Sequence, residues 1–188
     1  MKKLAGLLLF LALWAIPAAA QDVPVGEISG AYSLRRYTQG MNSHLTLHGW
    51  DASGEYNIWH SWLGVAGDFS GTYKTVNCAP FSCDYSIYSG MVGPRLYPLG
   101  HRKLTLFGDG LVGGAVYKET VPRGVGFPSF TNLEGGLSWA VGGGADLNIW
   151  KHWGIRVFQV DFGMTKFFYA SQTNVRLSFG FVYRFGEK

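Results

Sequence analysis

Long hydrophobic runs are missing from this 188-residue chain once its first twenty residues are set aside. No later apolar stretch approaches the ~18 residues that mark a membrane-crossing helix, so a helical span is excluded. Charge is scarce, at 15% of residues, and nearly balanced. Lys2 and Lys3 belong to the N-terminal segment, and without them the 16 basic residues barely exceed the 12 acidic ones. The high nominal pI is therefore no argument for a nucleic-acid partner. Cysteine is limited to Cys78 and Cys83, in NCAPFSCD, with no histidine beside them. A metal centre needs more ligands than that. No phosphate-cradling loop, paired catalytic carboxylates or cofactor fingerprint occurs, so no cofactor is expected.

What is present begins with MKKLAGLLLFLALWAIPAAAQD. A basic start, an apolar stretch from Leu4 to Ile16 and Ala18-Ala19-Ala20 read as a cleavable secretory leader over residues 1–20, implying export through the Sec pathway. No cysteine follows the cleavage site, so a lipoprotein anchor is not indicated. Residues 21–188 are then the length of one domain. They are rich in glycine and aromatics: the chain has 27 Gly, 7 Trp, 10 Tyr and 13 Phe. That mixture is typical of β-barrels. In an exported protein, the close pair Cys78 and Cys83 is expected to form one disulfide in a surface loop over 74–84.

The period supports the composition. In NVRLSFGFVYRF, Val175, Leu177, Phe179, Phe181, Tyr183 and Phe185 alternate with Asn174, Arg176, Ser178, Gly180, Val182 and Arg184. Strict alternation over twelve residues is a strand with one greasy face. The pattern recurs in EISGAYSLR, GWDASGEYNI, WLGVAGDFSGTY and LSWAVGGGADLNI. Two segments, YSIYSGMVGPRL and LTLFGDGLVGGAVY, have strand-like flanks but blurred faces. In GIRVFQVDFGMT, Arg156 has the opposite parity to Gln159 and Asp161, which a β-bulge near Val157 and Phe158 would reconcile.

Eight strands result, at about 25–35, 49–58, 62–73, 85–96, 104–116, 133–149, 154–166 and 174–185. Short links fall at 59–61, 97–103 and 150–153, and longer ones at 36–48, 74–84, 117–132 and 167–173. An even number of antiparallel strands, with short turns at one end and long loops at the other, describes an eight-stranded up-and-down transmembrane β-barrel of the bacterial outer membrane. Two short links carry tryptophan pairs, Trp59/Trp62 in NIWHSWLGV and Trp150/Trp153 in NIWKHWGIR. Indole rings at one rim make an aromatic belt at the lipid headgroups. The period of two around them rules out a helical face.

If the greasy face points to lipid, the polar face fills the lumen. It holds Glu27, Arg35, Asp51, Glu55, Asp68, Asp146, Asp161, Arg176 and Arg184, together with Arg95, Asp109 and Arg156. Eight strands enclose little more than their own side chains, so these charges are expected to pair into an ionic plug. A gate that opens when pairs switch is the alternative.

The residues also resemble a family. LSFGFVYRFG, 177–186, is similar to the closing strand of the outer-membrane protein A (OmpA) transmembrane domain. VGGGADLNIWKHWGIRVFQVDF resembles the preceding hairpin of that family and of the wider outer membrane protein beta-barrel group, as do GPR at 93–95 and WLGVAGDFSG. The resemblance implies insertion by the barrel-assembly machinery and both termini in the periplasm. The family insertion signal usually ends on the aromatic residue, whereas Gly186, Glu187 and Lys188 follow Phe185 here. Cell-wall tethering is not implied.

The expected function is a non-enzymatic outer-membrane barrel of a Gram-negative cell, structural or surface-interacting, monomeric, and in contact with lipid and lipopolysaccharide. A narrow pore for small solutes is the alternative. Lipid A deacylases resemble a barrel carrying His-x-Ser, and none of His44, His48, His60, His101 and His152 has Ser two residues on. His44 and His48, in HLTLHGW, lack a third ligand.

Overall fold

The computed structural model describes residues 24–39, 43–59, 62–78, 81–98, 103–121, 130–166 and 171–186. Residues 1–20, expected to be a leader, lie outside that set with His60 and His101, as do the side chains of His44 and Cys78. The elements are β1 (Gly26–Gln39), β2 (Ser43–Trp59), β3 (Leu63–Cys78), β4 (Phe81–Leu96), β5 (Leu104–Val121), β6 (Phe130–Asn148), β7 (Trp153–Lys166) and β8 (Ser171–Phe185). Each pairs antiparallel with its neighbours in sequence, and β8 pairs with β1, closing an eight-stranded up-and-down barrel. Closure matters because it removes the two free sheet edges that an open eight-stranded sheet would leave in lipid, where unpaired backbone groups are costly.

The strands are staggered around the barrel. From Ile28 the register runs through Gly54, Gly67, Val92, Val112, Trp139, Met164 and Thr173, and returns to β1 at Thr38. This stagger tilts the strands and sets how wide the lumen can be. The bulge on β7 is present. Phe158 opposes Ala145 while Arg156 opposes Asp146, so Val157 is the extra residue. Val157 and Phe158 both face outward, 50% and 46% exposed, which returns Arg156, Gln159 and Asp161 to one inner face.

Three boundaries differ from expectation. The links expected at 36–48 and 74–84 are mostly strand and that at 117–132 is half strand, leaving 40–42, 79–80 and 122–129 between elements. Outside the greasy band the outward residues turn polar: Arg36, Thr38, Thr46, Thr75, Asn77, Asp84 and Lys118 are exposed. The apolar alternation therefore fades while cross-strand pairing continues, as in Thr75↔Asp84 and Glu119↔Asn132. The cysteine segment is likewise a hairpin end and not a surface loop. Cys83 is buried, at 3% exposure, opposite Val76.

The blurred faces of β4 and β5 also have a cause. Their inner face is apolar in part, because Met91 and Leu111 pack with Ala66 and Ala140 inside the barrel. Glycines give room to larger inner neighbours. A Cβ on Gly144 would come within 2.7 Å of the Phe107 ring, and one on Gly142 would meet the Asp161 carboxylate.

Candidate functional site: an ion-paired lumen

Among the described residues, the buried charges of the inner face are five arginines, Arg35, Arg95, Arg156, Arg176 and Arg184, and seven carboxylates, Glu27, Asp51, Glu55, Asp68, Asp109, Asp146 and Asp161. All twelve are buried, none more than 6% exposed. Register alone sets four pairs directly opposite one another: Arg95↔Asp109, Asp146↔Arg156, Asp161↔Arg176 and Glu27↔Arg184. Arg156 holds Asp146 in a fork, with Nε at 2.9 Å from Oδ1 and Nη2 at 3.1 Å from Oδ2. Forked guanidinium–carboxylate pairs are the strongest hydrogen-bonded ion pairs available to a protein.

Other pairs cross the lumen. Arg176 on β8 donates from both Nη atoms to Asp68 on β3, each at 2.7 Å, and from Nε to Asp161 at 2.8 Å. It also pairs with Asp51 on β2. One guanidinium thus ties four strands, β2, β3, β7 and β8. Arg95 on β4 reaches Glu55 on β2 at 3.4 Å as well as Asp109 at 2.7 Å. The same register also puts like charges opposite one another, Glu27↔Glu55 and Arg35↔Arg176. Direct like-charge pairs destabilise a sheet, and here each is flanked by counter-charges. Arg184 takes Glu27 and Arg95 takes Glu55, while Arg176 is ringed by three aspartates.

Arg35 differs from the other four. It donates to hydroxyls, Ser70 at 2.7 Å, Ser89 at 3.2 Å and Tyr37 at 3.3 Å.

Several contributors were not among the twelve charged residues expected in the lumen network. Gln159 accepts from Arg156 at 2.9 Å and donates to Asp161 at 3.1 Å, joining two ion pairs into one network. Its inward parity beyond the bulge was the available signal. Tyr97 falls in a link, yet it is 1% exposed and its hydroxyl donates to Glu55. Phe107 lies between two guanidiniums, with Arg95 at 4.4 Å and Arg156 at 4.6 Å from the ring centre. Cations over an aromatic face are attracted to it, more strongly when desolvated.

Towards the loop end the chemistry changes. Tyr37, Leu47 and Ile87 pack together across the lumen, with Leu45 and Tyr117 against them. The ionic tier therefore lies beneath an apolar tier.

Outside, Trp59, Trp62, Trp150 and Trp153 are all exposed at the turn end, where Trp150 N–H donates to Trp153 C=O at 3.0 Å in the tight turn. A second aromatic group, unforeseen from sequence, lies towards the loop end. Tyr32 bonds His48 at 2.6 Å, and Trp50 Nε1 donates to the Tyr73 hydroxyl at 3.2 Å. From Trp50 to Trp59 is roughly 30 Å along the strand at ~3.3 Å per residue. At the ~40° tilt of such barrels this is about 23 Å of height, close to the ~25 Å apolar band of an outer membrane.

Among the described residues, no three His, Cys, Asp or Glu side chains group to hold a metal ion. No curated protein sequence matches the chain. Among solved structures it is similar in fold to the attachment invasion locus protein Ail of Yersinia pestis, with TM-score 0.62 and 18% identity over 86% of this chain and 99% of that one. It is similar also to Neisserial surface protein A (NspA), with TM-score 0.62 and 11% identity over 85% and 97%. The model of the outer membrane protein beta-barrel domain matches residues 5–185, and the chain belongs to that family.

Proposed function

We propose that this protein is a closed, non-enzymatic barrel of a Gram-negative outer membrane whose lumen is sealed by its own side chains and whose interactions take place at the loop end. The observation that carries the reading is Arg176. It is 1% exposed, ion-paired across the lumen with Asp51 and Asp68 and with Asp161 on the neighbouring strand, so that opening a path for ions would strand charges inside the barrel. Breaking such a pair costs about 3–5 kcal/mol. The apolar tier of Tyr37, Leu47 and Ile87 lies between this network and the loop end. In this reading the leader over residues 1–20 directs export through the Sec pathway, and the barrel-assembly machinery inserts the chain with its termini in the periplasm. Lipid and lipopolysaccharide surround it as a monomer, and the loop end faces outward. The two structural neighbours, by name an attachment protein and a surface protein, agree with an outward-facing role.

The test is electrical. Purified barrel in a planar bilayer is expected to show no steady conductance at moderate voltage. A persistent ohmic current from the wild-type chain would overturn the sealed-lumen reading in favour of a pore.

A further inference from the structure

At the loop end the wall splits between β2 and β3. β2 and β3 pair from Trp59↔Leu63 as far as His48↔Tyr73 and no farther. Both strands nevertheless continue. β2 runs on to Ser43 with β1 as its partner, and β3 runs on to Cys78 with β4 as its partner. The stretches Leu45–Leu47 and Lys74–Val76 thus show one another backbone edges with no ladder between them. An unpaired edge outside the membrane is a template for another strand, and a strand seated between two such edges can hydrogen-bond on both sides. This is also the segment that held HLTLHGW, which the sealed lumen leaves without a role.

The side chains around the notch specify its occupant. On the inner face, β2 contributes Leu45 and Leu47, and β3 contributes Lys74 and Val76; Leu45, Lys74 and Val76 are half-buried. On the outer face stand Thr46, Thr75 and Asn77, all exposed, with Thr75 held by Asp84 at 2.7 Å. An added strand would lay alternate side chains over the Tyr37–Leu47–Ile87 cluster and beside the Lys74 ammonium. Its other face would meet hydroxyl and amide groups.

We propose that the notch between the upper ends of β2 and β3 is a docking site for an extended segment of a partner protein. That segment adds as a strand, with apolar side chains and a carboxylate alternating along its inner face. Main-chain hydrogen bonds supply the grip and the alternate side chains supply the selectivity, as in other strand-addition interfaces. The proposal rests on the reading of the loop end as the interacting surface.

The experiment uses the full mature chain, folded in detergent micelles, and a dye-labelled synthetic peptide, Thr-Val-Thr-Glu-Thr-Val-Thr. Binding is expected to raise fluorescence anisotropy. It should shift and protect from exchange the amides of Leu45, Thr46 and Leu47 and of Lys74, Thr75 and Val76. Backbone N-methylation of the peptide should weaken binding roughly tenfold or more, because its hydrogen-bond donors are lost. Lys74→Glu should reverse the preference between the glutamate peptide and one with lysine in its place, an inversion that a purely structural lysine would not give. Shifts scattered over the barrel wall, equal binding of both peptides to the wild type, or notch protection that appears without peptide as the chain dimerises would each overturn the proposal. Steady ion flow would overturn the sealed-lumen reading whatever the peptide does. A sealed lumen with no peptide effect at the notch overturns the docking mode alone.

Discussion

Two levels of one lumen solve the same packing problem differently. Around Arg176 the space is filled by charge, with one guanidinium held by three aspartates. Towards the loop end it is filled by Tyr37, Leu47 and Ile87, with no ion pair in the cluster. The ionic level is directional. Each pair needs its partner at one distance and angle, so the level fixes strands that do not neighbour one another, β8 against β3 for example. The apolar level is tolerant, since dispersion contacts survive small shifts, and it lies beside the place where β2 and β3 part. Directional pairing sits at mid-barrel and tolerant packing sits at the loop end. That is the arrangement expected when the scaffold must hold while its rim meets partners.

The strongest way to break this contrast is Arg176→Met. It leaves Asp51, Asp68 and Asp161 buried without their cation, and the loss should be about 3–5 kcal/mol. Urea unfolding of the micelle-folded barrel, read by the difference in gel mobility between heated and unheated samples, measures it. A loss below about 1 kcal/mol would mean that water already screens the site. Leu47→Ala in the apolar level should cost less, about 2–3 kcal/mol, near the lower end for a buried leucine because the rim can relax. The same unfolding assay should show it, and the bilayer should stay electrically silent, since the ionic level beneath is untouched. Conductance in Leu47→Ala would reassign the seal to the apolar level.

The smallest effect belongs to the cysteines. Their register, Cys83↔Val76 and Cys78↔Phe81, puts both on one face of the β3–β4 hairpin. We propose a Cys78–Cys83 bridge there. Mass mapping without reduction should find one intramolecular link, and the double serine variant should still fold, because the ladder below is unaffected. The bridge closes only a short loop, so its removal should cost no more than about 2 kcal/mol. Failure of the double variant to assemble would make the hairpin end part of the folding core.

Legibility followed the chemistry of each segment. β8 reads plainly because Val175 to Phe185 alternate without a break. β4 and β5 read poorly because Met91, Phe107 and Leu111 turn inward and blur the faces. The upper ends of β1 to β6 read as loops because no lipid demands an apolar outer row there. Arg36, Thr75 and Lys118 stand on strands that only pairing partners reveal. Tyr97 hid in a link because nothing local marks a phenol as bound for a carboxylate on another strand.

Outside β4 and β5, the sequence by itself determined which side chains face in and which face out, including the inward return of Gln159 and Asp161 beyond the β7 bulge. That parity is a local property of extended backbone, whose side chains alternate whatever lies across from them. The tertiary structure decided which charges meet. Whether Arg176 finds Asp68 rather than Asp146 depends on closure and on the stagger that carries the register from Ile28 round to Thr38. It also decided where β2 and β3 separate. Both are long-range facts, set by geometry around the whole circumference, and no window of consecutive residues contains them.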